Sequence, residues 1–180
     1  ETARGNAQAV ADQTGKELVV ISTNLKTVME ETLGWDAAHG AGLTAVAYFL
    51  SGGLETVYIN SGDKRSATRP YGTRFDLDRL WSTKNLTVTT SGVGLTRLQK
   101  LRYLQDDSLT QRYLRVCCKN PNNAYNCSRC PKCLGTMLLI RILGASRTFT
   151  TFSPKINPRD LSHVVEPLHR IFWWNDAFLR

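Results

Sequence analysis

The sequence predicts an α/β protein with a cysteine-based metal site towards its C-terminal end. Short β-branched runs alternate with stretches of helical apolar spacing, which is the rhythm of an open sheet covered by helices. All five cysteines fall between positions 117 and 133. At 180 residues and 42% hydrophobic content, the chain holds enough apolar material for one domain with a small appendage. The expected division is 1–110 for the α/β part, 111–145 for a cysteine module and its helix, and 146–180 for an aromatic tail.

The first helix is read from Ala3, Ala7, Val10 and Ala11, which keep helical spacing until Thr14-Gly15 closes it. Glu17-Leu-Val-Val-Ile-Ser-Thr23 then suits a buried parallel strand. A helix is expected at about 41–51, with Leu43, Val46, Ala47 and Leu50 on one side, followed by a glycine turn and a second strand, Thr56–Asn60. A third strand, Leu86–Thr90, precedes a helix at about 94–106 carrying Leu98, Leu101 and Leu104. Pro131 opens another helix at its permissive first position. Leu134, Leu138 and Ile142 share one of its faces, Leu139 and Leu143 another, and Gly144 ends it. Beyond Pro154 and Pro158, His163, His169, Phe172, Trp173 and Trp174 belong to a tail expected to pack on the domain. His39, near a helix start, is expected to have a capping or surface role.

Cys127-Ser-Arg-Cys130-Pro-Lys-Cys133 gives two overlapping Cys-x-x-Cys turns, each able to aim two sulfurs at one point. Cys117 or Cys118 completes a tetrahedral set. Nine residues separate Cys117 from Cys127 and eight separate Cys118, and spacing alone leaves both open. Zinc is the expected ion. An iron–sulfur cluster is the alternative, although no cysteine follows at the fourth ferredoxin spacing. The N-terminus of the helix from Pro131 would favour the thiolate of Cys133.

Lysine and arginine outnumber aspartate and glutamate 23 to 15, a net charge of +8. This balance suits a phosphate-rich partner, nucleic acid among them. No segment approaches the length of an apolar membrane span and no secretory leader is read, so a cytoplasmic protein without membrane partners is expected.

Asn60 to Trp81 lacks regular periodicity and begins where a strand ends, the edge at which open α/β sheets bind ligands. Lys64, Arg65, Arg69, Arg74 and Arg79 could clamp phosphate or carboxylate there, and Asp76 and Asp78 could orient a cation or hydroxyl.

The block Leu114-Arg-Val-Cys-Cys through Asn126-Cys-Ser-Arg-Cys-Pro-Lys-Cys-Leu-Gly-Thr-Met137, with Pro70-Tyr-Gly-Thr-Arg-Phe-Asp-Leu-Asp-Arg-Leu-Trp-Ser-Thr83, resembles uncharacterised bacterial relatives of 7-cyano-7-deazaguanine synthase, within the PP-loop ATP pyrophosphatases. The resemblance covers most of 1–145. It implies a Rossmann-like parallel sheet of the HUP type and one zinc held by four cysteines. The synthase spacing implies Cys118 as first ligand, while the Leu-Arg-Val-Cys frame of the closer relatives implies Cys117, giving Cys117, Cys127, Cys130 and Cys133.

The resembling chemistry uses ATP and magnesium. A carboxylate or carbonyl oxygen of a small-molecule substrate attacks the α-phosphorus, pyrophosphate leaves, and a nitrogen nucleophile displaces AMP. Arg69, Arg74, Asp76, Arg97 and Lys100 are the residues expected to contact substrate or phosphate. Family members carry the phosphate loop on their first strand, and this chain is expected to begin after it, requiring an upstream half or partner chain. Ser51-Gly-Gly-Leu-Glu-Thr56 looks like that loop, but it follows a helix and precedes a strand, the reverse of what amides facing phosphate require. The alternative expectation is a non-catalytic basic zinc module that binds nucleic acid or a protein.

Overall fold

The computed structural model describes residues 1–60 and 71–161. Its mixed α/β chain divides into two compact units, Val20–Thr96, and Glu1–Val19 with Arg97–Arg180.

The Val20–Thr96 unit is built on two parallel strands, β1 (Thr56–Asn60) and β2 (Thr87–Ser91), in register from Thr56 opposite Thr87 to Asn60 opposite Ser91. The helices α2 (Leu25–Thr32) and α3 (Trp35–Phe49) precede them, and the one-turn α4 (Phe75–Asp78) lies in the crossover. Ile59, Leu86 and Val88 bury against Ala47 of α3, with Leu54, Val57 and Trp81 packed around them. Each large side chain so buried contributes about 2 kcal/mol. Ser82 Oγ accepts from Val88 N–H at 2.9 Å and donates to Val88 C=O at 3.3 Å, so a side chain covers part of one β2 edge.

The segment following residue 70 is seated on α3 by small residues. Gly72 N–H donates to Asp36 C=O at 2.7 Å, and a Cβ on Gly40 would lie 1.8 Å from the Gly72 oxygen. Asp78, fully buried, accepts from Arg74 N–H at 3.1 Å and from Thr90 Oγ1 at 2.6 Å. One carboxylate thereby joins the start of α4 to the carboxyl end of β2. Tyr71 to Asp78 is fixed beside the strand ends for this reason.

In the other unit, α1 (Thr2–Thr14) packs against α6 (Ser108–Tyr113), and α5 (Arg97–Leu104) against α7 (Pro131–Ile142). Gly15, at φ 63°, closes α1, with Lys16 N–H donating to Ala11 C=O at 2.9 Å. Asp107 caps α6 by accepting from Thr110 N–H and Thr110 Oγ1, both at 2.6 Å. The Thr110 contacts hold the Asp107 carboxyl below its usual range. This cap is therefore fully stabilising above the unfolded pKa and is lost as pH falls through the lower folded value. Leu101, Cys117, Cys130, Cys133, Met137, Ile140, Phe149 and Phe152 form the core.

Several expected elements shift. The run Glu17–Thr23 forms neither helix nor strand, and Val19, Val20 and Ile21 are exposed. A strand needs a laterally bonded neighbour, and among the described residues this run has no backbone ladder. The helix expected at 41–51 begins at Trp35, which buries His39 within it rather than leaving it at the surface. In α7 the buried stripe is Cys133, Leu134, Met137 and Ile140, while Ile142 is exposed, because the face that carries the fully buried Cys133 is the one turned inward. His163, His169 and the aromatic tail lie outside the described residues.

The two glycine environments make opposite predictions. Gly40→Ala forces backbone apart at Gly72 and is expected to cost about 3 kcal/mol or more. Gly5→Ala, in the exposed interior of α1 with nothing within 4 Å, is expected to stabilise by about 1 kcal/mol. Urea unfolding of both variants measures the contrast.

Candidate metal centre

Four sulfur atoms, from Cys117, Cys127, Cys130 and Cys133, lie within 4.8 Å of one another. Cys117 Sγ is 4.0 Å from Cys130 Sγ, and Cys127 Sγ is 3.9 Å from Cys133 Sγ. A tetrahedral ion with metal–sulfur bonds of about 2.3 Å separates its sulfurs by about 3.8 Å, so this donor set fits one four-coordinate thiophilic ion. Cys117, Cys130 and Cys133 are buried and Cys127 half-buried, whereas Cys118 is exposed and outside the group.

Local geometry selects Cys117. Asn126 Oδ1 accepts from Val116 N–H at 3.0 Å and Cys117 N–H at 3.2 Å, and its Nδ2 donates to Leu114 C=O at 2.8 Å. The Leu114–Cys117 run is thereby tied to the residue preceding Cys127. Asn120, at φ 40°, turns the chain so that its N–H points at Cys117 Sγ, 3.3 Å away. The second turn repeats the device. Ser128 takes φ 56°, and Cys130 N–H points at Cys127 Sγ at 3.3 Å. Asparagine tolerates this left-handed backbone better than most residues, which accounts for Asn120, Asn122 and Asn123 in one loop. Cys130 is the N-cap of α7 and Pro131 its first residue.

The unmetallated thiols differ in acidity. Burial raises the Cys117 pKa, but amide donors led by Asn120 and Cys127 outweigh it and bring the group down to about 6. Burial pushes both Cys130 and Cys133 above the ordinary thiol range, and for Cys133 the adjoining Cys130 sulfur adds to the rise.

No protein-family model, curated protein or solved structure matches the chain.

The other expected site residues are divided between the two units. Arg74 and Asp76 pair with each other, Arg74 Nε donating to Asp76 Oδ1 at 2.8 Å. Their hydrogen bond lowers the Asp76 pKa and raises that of Arg74. Arg97 and Lys100 stand on α5, in the unit that carries the cysteines. Lys64, Arg65 and Arg69 lie outside the described residues. Asp78 is committed to Arg74 and Thr90, so its role is internal. Ser51–Gly53 forms a 3₁₀ turn from α3 into β1, with Ser51 Oγ donating to Tyr48 C=O at 2.7 Å, and builds no phosphate cradle.

Asn120 and Asn126 are the supporting residues that sequence spacing passed over. Their only signal was the run Asn-Pro-Asn-Asn-Ala-Tyr-Asn126 between cysteines. His39 was also underrated. Its Nδ1 lies 3.0 Å from Trp35 C=O and its Nε2 3.2 Å from Thr73 Oγ1, and its ring meets Tyr71 edge-on at 4.6 Å.

Metal analysis of purified variants should find one ion per wild-type chain, none retained by Cys117→Ser, and full retention by Cys118→Ser. Asn126→Ala should lower metal affinity about 10–100-fold, because it frees the Cys117 run while leaving every sulfur in place. Loading at neutral pH must remove the protons held by Cys130 and Cys133, so at least those two should be released per ion, and affinity should fall as pH falls. Calorimetry in buffers of different ionisation enthalpy counts them.

Proposed function

We propose that this chain is the C-terminal part of an adenylating enzyme of the PP-loop type, resembling the relatives of 7-cyano-7-deazaguanine synthase, with a structural zinc held by Cys117, Cys127, Cys130 and Cys133. The observation that carries this reading is the convergence of four sulfurs within 4.8 Å from the Leu-Arg-Val-Cys frame and the Cys-x-x-Cys-x-x-Cys run on which the resemblance rests. The parallel pairing of β1 with β2 supports it, as does the anchoring of Tyr71–Asp78 beside the carboxyl ends of those strands.

Zinc is the ion of choice because four thiolates close its coordination, leaving no open position for substrate. When bound it supplies folding free energy and no acid–base chemistry. An iron–sulfur cluster would place several irons between the sulfurs and spread thiolates on different irons wider than the 4.8 Å within which all four lie. ATP and magnesium enter this reading through the resemblance, and the phosphate loop that would hold them is not the 3₁₀ turn Ser51–Gly53. Arg74 is the cation best placed to meet a phosphate or carboxylate, exchanging Asp76 for the ligand.

Calorimetric titration of the intact gene product with ATP and magnesium is expected to give saturable binding, weakened about tenfold or more by Arg74→Ala. Absence of binding to the intact product would remove the adenylating reading.

A further inference from the structure

The surplus positive charge is confined to one unit. Val20–Thr96 holds seven Lys and Arg against seven Asp and Glu, whereas Glu1–Val19 with Arg97–Arg180 holds sixteen against eight. All eight net charges therefore belong to the cysteine-bearing unit. Within it, the interval from Ser108 to Arg159 contains nine Lys or Arg and no acidic residue. All four sulfur ligands lie in that interval. A divalent ion with four thiolates carries about two negative charges, so balancing the centre accounts for about two of the nine.

Arg102, Arg112, Arg115, Lys119, Lys132 and Arg141 are all exposed, and none of them forms an ion pair among the described residues. All but Arg112 stand on elements that contribute to one core, through Leu101 of α5, Cys117 and Cys130 of the cysteine turns, and Met137 and Ile140 of α7, and Arg112 lies two residues before Leu114, which packs against that core. Holding an ion would fix Arg115, Lys119 and Lys132 relative to one another, which lowers the entropy lost when they engage a partner. Beside Arg102, Tyr103 presents a ring that is 85% exposed. An exposed aromatic next to Arg102, on a unit whose cations lack carboxylate partners among the described residues, fits a strand whose phosphates are regularly spaced and whose bases are free to stack. An acidic protein surface would explain the cations but not the ring.

We propose that the metal-bearing unit binds single-stranded nucleic acid, its cations following the phosphate backbone and Tyr103 stacking on a base. This proposal rests on charge distribution and stands independently of the adenylating reading.

The test titrates the zinc-loaded full chain, without ATP, into labelled single strands of RNA and of DNA about 20 nucleotides long, and into the matching duplex, followed by fluorescence anisotropy. Dissociation constants for the single strands should be about 10 μM or tighter at about 50 mM salt and weaken steeply by about 200 mM. The triple variant R102Q/R112Q/R141Q, which touches no sulfur ligand or its neighbours, should lose about tenfold or more and reduce the log–log salt slope by about 2. R115Q/K119Q/K132Q should behave alike once its zinc content is verified. Tyr103→Ala should weaken single-strand binding about fivefold or more and spare the duplex. Absent or salt-insensitive binding, triple variants that bind as wild type with intact zinc, tighter binding to duplex, or a polyglutamate peptide competing as well as RNA would each overturn the proposal. Failure here leaves ATP binding by the intact product unaffected, so the two readings fall separately.

Discussion

Four buried or half-buried sulfurs must lie within 4.8 Å of one another, although they come from two stretches separated by a nine-residue loop. Without a cation this arrangement is electrostatically awkward. One thiol, Cys117, is favoured as thiolate by the amides around it, and ionising its neighbours beside it in a buried setting is opposed. A divalent ion held there would resolve that conflict and join the two stretches at once. The start of α7, the turn after α6 and the core around Met137 and Phe149 all depend on where those sulfurs meet.

The supporting shell is largely backbone and amide chemistry. Asn126 serves three main-chain groups of the Leu114–Cys117 run, and Ser128 Oγ accepts from Ser153 N–H at 2.9 Å, drawing the segment after α7 back to the centre. Thr151 Oγ1 donates to Leu114 C=O at 2.8 Å and adds a second tie. These contacts orient ligands without contributing charge, so the net electrostatics of the unit are set by its exposed arginines and lysines. The other unit has a different economy. Its charge is balanced, its strands are parallel, and its buried Asp78 holds the Tyr71–Asp78 segment at the strand ends. The two units thus differ in charge, one balanced between acidic and basic residues and one carrying the whole positive excess.

The cysteine set and α7 were legible because their determinants are local. Two overlapping Cys-x-x-Cys turns, a proline at the first helical position and a glycine at the end need no tertiary partner to be read. The strands β1 and β2 were legible within one residue from their β-branched runs. The helices α2 and α6 were passed over because each is short, eight and six residues, so that even the i, i+3, i+4 spacing of Leu25, Val28 and Met29 in α2 spans little more than one turn.

What the sequence determined by itself was the inventory: a cluster of thiols, an alternation of helices and strands, and an excess of positive charge. Only the tertiary structure decided that Cys117 and not Cys118 joins the sulfur cluster, that Glu17–Thr23 stays outside the sheet, and that the charge excess lies entirely with the cysteine-bearing unit. The physical reason is common to all three. Spacing along a chain fixes which residues can reach a point, but hydrogen bonds from distant residues such as Asn126, lateral strand pairing and the assignment of residues to separate cores fix which of them do.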